Sequence, residues 1–346
     1  MDERFADLSP ITYAEYEDIA QLALCFFNPL QNKQFRQIAE SGNEDRIIPL
    51  NENNFFSFLC KIDKTYDKKL HKIKRILSLM ERAEILTFEG NGNSALLGRH
   101  YYSLKELTNL QRRNSLWLGE AFGFPFLQEK LKANVIHITG ITKQGDTGNG
   151  TGFLINRNTI LTCKHVISDM IPDDNLTILG EKYTYKVKKS EEYDISLLVL
   201  DKCIDSINCF PAFNDANILD EVIIMGYPPI VGADKDYLLS QKGEVNSVVN
   251  DYLSKTTNLV LSSVTRPGNS GGPVISKNGY IVGMVLQFNT STKSGFSSSS
   301  SSCSSTDKDD KEENCFPFYM AMQGKALFNG IKAIDPNVDI FFEDYQ

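Results

Sequence analysis

The chain has 346 residues, enough for two or three compact domains. With 41% hydrophobic and 23% charged residues, its composition is that of an ordinary globular protein and excludes general disorder. The net charge of -8 arises after residue 133, because residues 1–133 hold 18 basic and 18 acidic side chains. Tight nucleic-acid binding needs concentrated Lys and Arg, so the acidic C-terminal part argues against it.

The seven cysteines are odd in number and show no paired spacing, which argues against a disulfide framework. The N-terminal stretch MDERFADLSP lacks the basic start and apolar core of a signal peptide. No apolar run approaches the ~20 residues of a membrane span. We therefore predict a reduced, cytoplasmic protein without a membrane segment. The four histidines are scattered and no Cys or His pair has ligand spacing, so neither a metal nor a cofactor is expected.

The first 125 residues are predicted to form a mainly helical domain. Thr12 and Glu15 fit a capping box ahead of a first helix, and a second helix is expected after Asp67. Two apolar stretches then flank a Gly-Asn turn at 90–93, a hairpin signal. Further along, Ser103 and Glu106 also fit a capping box, and would open a third helix containing Leu107 and Leu110.

Helix, hairpin and helix follow one another as in winged-helix domains, some of which bind DNA and others proteins. The second helix places basic residues opposite its apolar face: Lys68, Lys69, Lys72, Lys74 and Arg75. Such a face is usually only solvated, and residues 1–133 carry no net charge. We therefore expect residues 1–125 to bind a regulatory protein partner rather than nucleic acid.

From residue 134 the sequence changes to short β-rich runs broken by Gly, Asn and Asp. Two sets of six strands are predicted: 134–141, 151–156, 159–162, 175–180, 183–189 and 195–200, then 219–226, 237–249, 256–263, 273–276, 279–288 and 316–322. Two such sets favour an all-β double six-stranded antiparallel barrel behind a mainly α N-terminal domain.

The second domain is predicted to span 126–346, with barrel one at about 134–205 and barrel two at about 217–334. Residues 324–334 have the pattern of a closing helix. Residues 289–315 are Ser-rich and then acidic, with almost nothing apolar, and are expected to form a mobile loop.

Three short motifs carry the residue types needed for acyl transfer, which requires a nucleophile, a base, a group that orients the base, and oxyanion donors. Ser270 lies among small residues in RPGNSGGPV, where a sharp turn would aim the amides of Gly268 and Ser270 at one oxygen. His165 follows the apolar strand residues of ILTCKHV, and Asp194 precedes the apolar run of YDISLLVL. Each motif alone has a structural explanation; the order His, Asp, Ser across the two strand sets makes coincidence implausible.

The stretch from about 134 to 334 resembles the trypsin-like (chymotrypsin-fold) peptidases, and is most similar to the compact bacterial branch that includes the high-temperature-requirement proteases. The motifs that carry the resemblance are GTGFLI at 150–155, LT with HV at 161–166, DI with LL at 194–198, GYP at 226–228 and PGNSGGP at 267–273. The resemblance implies His165 as general base, Asp194 as its orienter and Ser270 as nucleophile. It also implies that the Gly268 and Ser270 amides form the oxyanion hole.

The chain departs from the family pattern in three places. Asn269 replaces the Asp that pairs with a newly cut N-terminus in pancreatic-type members, so that route of activation is not available. If Gly283 aligns, Leu286 stands where many relatives have a Ser or Thr that helps hold the catalytic carboxylate. The 289–315 insertion lies where the family has the loop that lines its primary specificity pocket.

The specificity pocket is predicted to include Val264, Thr265 and Phe288. Val264 lies six residues before Ser270, where Arg- and Lys-cleaving members carry an acid, and no carboxylate occurs from 259 to 270. A small or apolar P1 residue is therefore expected.

The leading hypothesis is a serine endopeptidase that cleaves protein or peptide substrates as a regulated cytoplasmic effector. That role is analogous to protease effectors of bacterial anti-phage systems. Two alternatives from other classes are a catalytically weak peptide-binding module and a DNA-bound regulator that carries a protease fold.

Overall fold

The computed structural model describes residues 12–29, 49–91, 98–252, 255–286 and 319–344. Its contacts divide the chain into two compact units. The first comprises Met1–Lys130 with Lys277–Gly279, and the second comprises Leu131–Ser276 with Tyr280–Gln346. Within the described residues, no helix is both long and apolar enough to cross a membrane.

The first unit is built from helices and one small antiparallel sheet. Its elements are α1 (Tyr13–Phe27), β1 (Leu50–Asn51), α2 (Glu52–Ile62), α3 (Leu70–Arg82), β2 (Thr87–Asn91), β3 (Arg99–Tyr102), α4 (Asn109–Asn114), α5 (Gly119–Phe122) and α6 (Phe124–Leu131). The sheet has the order β1-β3-β2. Its core contains a cluster of fully buried aromatic rings in mutual contact: Phe26, Phe27, Phe55 and Tyr101.

Of the two capping boxes predicted in this unit, one is confirmed and one is wrong. The capping box of Thr12 and Glu15 opens α1 as predicted. The predicted box of Ser103 and Glu106 is wrong, because the next helix begins at Asn109 behind a box formed by Thr108 and Gln111. The Ser103 amide instead donates to the Phe27 carbonyl at 3.0 Å, so it is not available to the Glu106 side chain as a capping box requires.

The basic face predicted for α3 is only partly solvated. Lys72 is 4% exposed, and its ammonium lies 4.0 Å from the Glu15 carboxylate. Lys69, which precedes the helix, pairs with the same carboxylate at 3.0 Å. The Glu15 carboxylate therefore neutralises part of the positive charge of a helix face that was predicted to be exposed to solvent.

The second unit begins with a sheet of seven strands. They are β4 (Val135–Thr142), β5 (Thr147–Asn156), β6 (Thr159–Thr162), β7 (Met170–Pro172), β8 (Asn175–Ile178), β9 (Glu181–Lys189) and β10 (Ser196–Leu200), in the order β7-β4-β5-β6-β10-β9-β8. A short helix, α7 (Lys164–Ser168), follows β6.

Six further strands close into a barrel. They are β11 (Glu221–Gly226), β12 (Leu239–Asp251), β13 (Thr256–Leu261), β14 (Pro273–Ser276), β15 (Ile281–Val285) and β16 (Tyr319–Gln323), in the order β11-β12-β13-β16-β15-β14. The chain then forms α8 (Gly324–Ile334), at the predicted bounds. Burial differs among these strands: β14 and β15 are buried along their whole length, whereas β12 is buried only at Gly243 and Val245.

The predicted fold class, an antiparallel double-barrel architecture behind a helical region, is confirmed, with one correction. The first sheet has seven strands rather than six and is not a closed barrel. The additional strand, β7, forms because Met170–Pro172 pairs with Gly140–Thr142 of β4 directly after α7. The predicted loop at 289–315 and part of the neighbouring strand predictions lie outside the described residues.

Candidate active site

His165 and Asp194 are brought together by the pairing of two strands. In the antiparallel ladder of β6 and β10, Thr162 lies opposite Ser196. His165 is three residues beyond the end of β6, in the first turn of α7, and Asp194 is two residues before the start of β10. Because both residues lie just past the same end of the ladder, their side chains meet there.

The Asp194 carboxylate makes two hydrogen bonds with His165. Oδ2 lies 2.7 Å from the ring Nδ1, and Oδ1 accepts a hydrogen bond from the His165 backbone N–H at 2.9 Å. Burial alone would raise the pKa of the Asp194 carboxyl, but hydrogen bonds from the His165 ring and backbone and from the Lys164 backbone hold that pKa below its ordinary value. The carboxylate therefore stays ionised and fixes the ring, with Nδ1–H facing Asp194.

The other ring nitrogen of His165 is left available. Nε2 is buried and, among the described residues, has no hydrogen-bond partner. With Nδ1–H bound to Asp194, Nε2 is the basic nitrogen of the neutral ring. The hydrogen bond to a serine hydroxyl that a catalytic triad uses is not formed in this structure; such bonds are often long before substrate binds.

Ser270 lies in a segment that we call the nucleophile loop, residues 266–272, just before β14. The loop packs against the first sheet: the Thr151 N–H donates to the Ser270 carbonyl at 3.0 Å. Gly271 has a φ of +84°, and a Cβ there would lie 2.1 Å from the Thr151 carbonyl oxygen and 2.4 Å from Thr162 Oγ1. Only glycine permits both this backbone conformation and this close approach. The Ser-Gly dipeptide thus seats Ser270 beside the strand end that carries His165.

Gly268 and Ser270 each have a backbone amide that can donate a hydrogen bond. Gly268 has a φ of +95°, a conformation that favours glycine. No acceptor among the described residues binds either amide. Between them, the Asn269 N–H donates to the Arg266 carbonyl at 2.9 Å, and the Asn269 side chain is buried. The loop can therefore present two free donors to one ligand oxygen.

Cys163 is a site residue that sequence reasoning missed. It is fully buried, and its Sγ, a His165 ring nitrogen and an Asp194 carboxylate oxygen lie within 4.8 Å of one another. Burial, and then the negative charge of Asp194, raise the pKa of the Cys163 thiol well above its ordinary value. The thiol donates to the Val285 carbonyl at 3.3 Å. In the sequence, its position two residues before His165 could have indicated that it lies near the site.

The Cys163, His165 and Asp194 cluster contains three types of metal ligand, but its chemistry fits a metal poorly. Metal binding needs a thiolate and a free imidazole nitrogen. Here the sulfur is held as a thiol, and Nδ1 of His165 already bonds to the carboxylate. The cluster is better suited to orienting an imidazole.

The predicted pocket residues are only partly described. Val264 is 40% exposed and Thr265 is half-buried, both just before the nucleophile loop. Phe288 lies outside the described residues. The Leu286 backbone N–H donates to the Met320 carbonyl at 3.0 Å, and its side chain offers no hydrogen bond for Asp194.

Comparison with known proteins identifies the class to which this architecture belongs. Residues 150–284 match the family model described as "Trypsin-like peptidase domain". This range includes His165, Asp194 and Ser270. The chain therefore contains a trypsin-like serine peptidase domain and is a serine endopeptidase by class, with proteins or peptides as its substrates.

Solved structures of bacterial proteases resemble the chain at low identity. The active form of the M. tuberculosis protease Rv3671c is 16% identical, with a TM-score of 0.44, covering 60% of this chain and 84% of that one. The HtrA-type protease AlgW with a tripeptide is 16% identical, with a TM-score of 0.45 and coverage of 61% and 63%. A serine endoprotease from Yersinia pestis is 13% identical, with a TM-score of 0.44 and coverage of 67% and 69%. The assignment of the class rests on the family match.

The depressed pKa of Asp194 makes folding stability depend on pH. Because the folded-state pKa lies below that of the unfolded chain, the ionised carboxylate stabilises the fold above about pH 4, and this contribution is lost as the pH falls through the folded-state value. We expect the free energy of unfolding of wild type to exceed that of Asp194→Asn at pH 6, and the difference to shrink by pH 3. Urea unfolding of both proteins across this range measures it. A difference that stays constant would contradict the lowered pKa.

Proposed function

We propose that this chain cleaves peptide bonds through an acyl-enzyme, with Ser270 as nucleophile, His165 as general base and Asp194 as its orienter. The observation that carries the proposal is the two-point hydrogen bonding between Asp194 and His165, at 2.7 and 2.9 Å. This contact holds Nδ1–H in place and leaves Nε2 to accept the proton of the Ser270 hydroxyl.

In the proposed mechanism, Ser270 Oγ attacks the substrate carbonyl carbon while Nε2 of His165 takes its proton. The amides of Gly268 and Ser270 donate to the resulting oxyanion. The imidazolium, stabilised by the Asp194 carboxylate, then protonates the leaving amine. Water enters and hydrolyses the ester by the same proton transfers in reverse order, which restores the serine hydroxyl.

The first test removes the nucleophile. Triad members act as a unit, so Ser270→Ala should lower kcat by about 10⁴-fold or more, and His165→Ala by a similar factor. Ser240→Ala, an exposed serine of β12, is the matched control and should retain wild-type turnover. Peptide hydrolysis gives the rates, and a fluorophosphonate probe should label wild type but not Ser270→Ala.

Two results would contradict the proposed triad. Turnover that survives Ser270→Ala would show that another nucleophile acts. A wild-type chain that binds peptides but neither hydrolyses them nor reacts with the probe would instead favour the peptide-binding module.

The substrate specificity that we propose is a small or apolar P1 residue. Val264 takes the position where Arg- and Lys-cleaving relatives carry an acid, and a buried cation without a carboxylate costs several kcal/mol. A cleavage-site library should show small or aliphatic residues at P1, and Val264→Asp should raise cleavage after Lys and Arg. A wild-type preference for P1 Arg or Lys would contradict this assignment.

We further propose that residues 1–125 form a winged-helix-like regulatory module that binds a protein partner. The order helix, strand, helix, helix and hairpin, with the sheet order β1-β3-β2, supports this proposal. Asn269 lacks the charge needed to pair with a newly cut N-terminus, so control must come from elsewhere in the chain. The cytoplasmic location and an effector role in anti-phage defence rest on the sequence analysis and stay predictions.

Removal of residues 1–125 tests the regulatory proposal. We expect the truncated enzyme to differ from the full chain in its rate per active site, because the module would set the fraction of competent enzyme. Fluorophosphonate titration counts the sites, and circular dichroism checks that the barrels remain folded. Equal rates on a panel of peptides, with and without cell extract, would contradict a regulatory role.

A further inference from the structure

We propose that Thr151 is a positioning residue for the oxyanion hole: its side-chain hydroxyl and its backbone amide together fix the peptide segment from Gly268 to Ser270. The proposal rests on the proposed role of Ser270 as nucleophile. Thr151 lies in β5 of the first sheet, whereas the segment that it holds precedes β14 of the closed barrel.

Thr151 binds both ends of the segment. Its N–H donates to the Ser270 carbonyl at 3.0 Å, and its Oγ1–H donates to the Gly268 carbonyl at 2.6 Å. The same Oγ1 accepts a hydrogen bond from the Tyr227 N–H at 2.9 Å. Because an amide can only donate, the hydroxyl proton must point toward Gly268. The direction of every hydrogen bond at this side chain is therefore determined.

The held peptide lies between the two oxyanion donors. The peptide plane that joins Gly268 to Asn269 lies between the planes that carry the two amides, and it contains the Gly268 carbonyl that Thr151 binds. The next plane, which carries the Ser270 amide, is held within the loop, because its Asn269 carbonyl accepts from the Gly272 N–H at 2.9 Å. Thr151 is thus the contact from outside the loop to the central plane.

Within the loop, this central plane is held through the Asn269 N–H, which donates to the Arg266 carbonyl at 2.9 Å, and the Thr151 hydroxyl adds a hydrogen bond on the carbonyl side of the same plane. Gly268 has no Cβ, so other backbone conformations remain accessible to it despite its φ of +95°. A rotation there would turn its amide away from the oxyanion position. Oxyanion donors accelerate a reaction only when they are already aimed at the developing charge. A fixed Gly268 carbonyl anchors the C-terminal side of the Gly268 Cα, which leaves fewer rotations that could turn the amide away before substrate arrives.

The surroundings of Thr151 leave little room for a substitute. Its side chain is fully buried, and Thr162 Oγ1 donates to its carbonyl at 2.7 Å. A Cβ added to Gly226 would lie only 3.0 Å from Thr151 Oγ1 and 2.8 Å from Asn269 Oδ1. With neighbours this close, water cannot readily replace a missing hydroxyl, so removing it leaves the Gly268 carbonyl without its donor.

The decisive experiment compares Thr151→Val with Thr151→Ser. Valine keeps the shape and loses the hydroxyl, so kcat should fall about 10²-fold, near the loss seen when one oxyanion donor is removed, while KM changes less than about threefold. The affinity for a peptide aldehyde, which forms a tetrahedral oxyanion adduct, should fall by a similar factor. Serine keeps the hydroxyl and should restore both values to within about threefold of wild type.

Thr256→Val is the control for a purely structural effect. It is the same substitution at another buried threonine, whose hydroxyl donates to Asn258 Oδ1 at 3.1 Å. We expect it to lower the melting temperature, as Thr151→Val does, but to keep kcat. If Thr151→Val is too unstable to assay, Thr151→Ala also removes the hydroxyl and places no methyl group against the Gly268 carbonyl, which lies 2.6 Å from Oγ1 in wild type.

The outcomes separate this inference from the assignment of the triad. If Ser270→Ala abolishes turnover but folded Thr151→Val retains kcat within threefold of wild type, the role of Thr151 is refuted and the triad stands. A loss of kcat in Thr256→Val as large as in Thr151→Val would also refute it, because stability alone would then explain the effect. If Ser270→Ala is as active as wild type, the proposed nucleophile itself is wrong.

Discussion

The candidate site is organised by one partly buried negative charge, the carboxylate of Asp194, which stays ionised beside His165. A carboxylate removed from water is costly unless hydrogen bonds replace its hydration. Here the histidine ring and two backbone amides supply them, so the pKa of the carboxyl falls despite burial. The same bonds that stabilise the charge also orient the imidazole, since one oxygen binds the ring and the other binds the histidine backbone.

A second constraint is that the residues of the candidate site come from two separate sheets. His165 and Asp194 belong to the seven-stranded sheet, whereas Ser270 precedes a strand of the closed barrel. Backbone hydrogen bonds join the Ser270 segment to the seven-stranded sheet. Gly271 allows this segment to lie close to β5, because a side chain there would overlap the Thr151 carbonyl. Glycine in the nucleophile loop therefore has two effects: it lets the loop approach the seven-stranded sheet closely, and it leaves the loop backbone with more accessible conformations.

Cys163 places a buried sulfur near the Asp194 carboxylate, and its thiol donates to the Val285 carbonyl at 3.3 Å. Leu286, two residues beyond Met284, offers no hydroxyl to that carboxylate. Because burial and the neighbouring charge keep the sulfur protonated, it adds no second negative charge to the site. A polarisable, neutral group beside a buried carboxylate disturbs it less than an ionised one would.

The sequence by itself determined the order of the elements, the strand positions and the identity of the chemical groups, because these depend on local periodicity, on turn residues and on short motifs around His165, Asp194 and Ser270. The tertiary structure decided what depends on pairing between distant segments. The register of β6 and β10 placed Asp194 on His165, the pairing of β7 with β4 added a seventh strand to the first sheet, and the fold buried Lys72 with its ammonium 4.0 Å from the Glu15 carboxylate. The hydrogen bonds from Thr151 to the Gly268 carbonyl and from Cys163 to the Val285 carbonyl belong to the same category. Each joins residues that are more than 100 positions apart, and no local pattern specifies contacts at that separation.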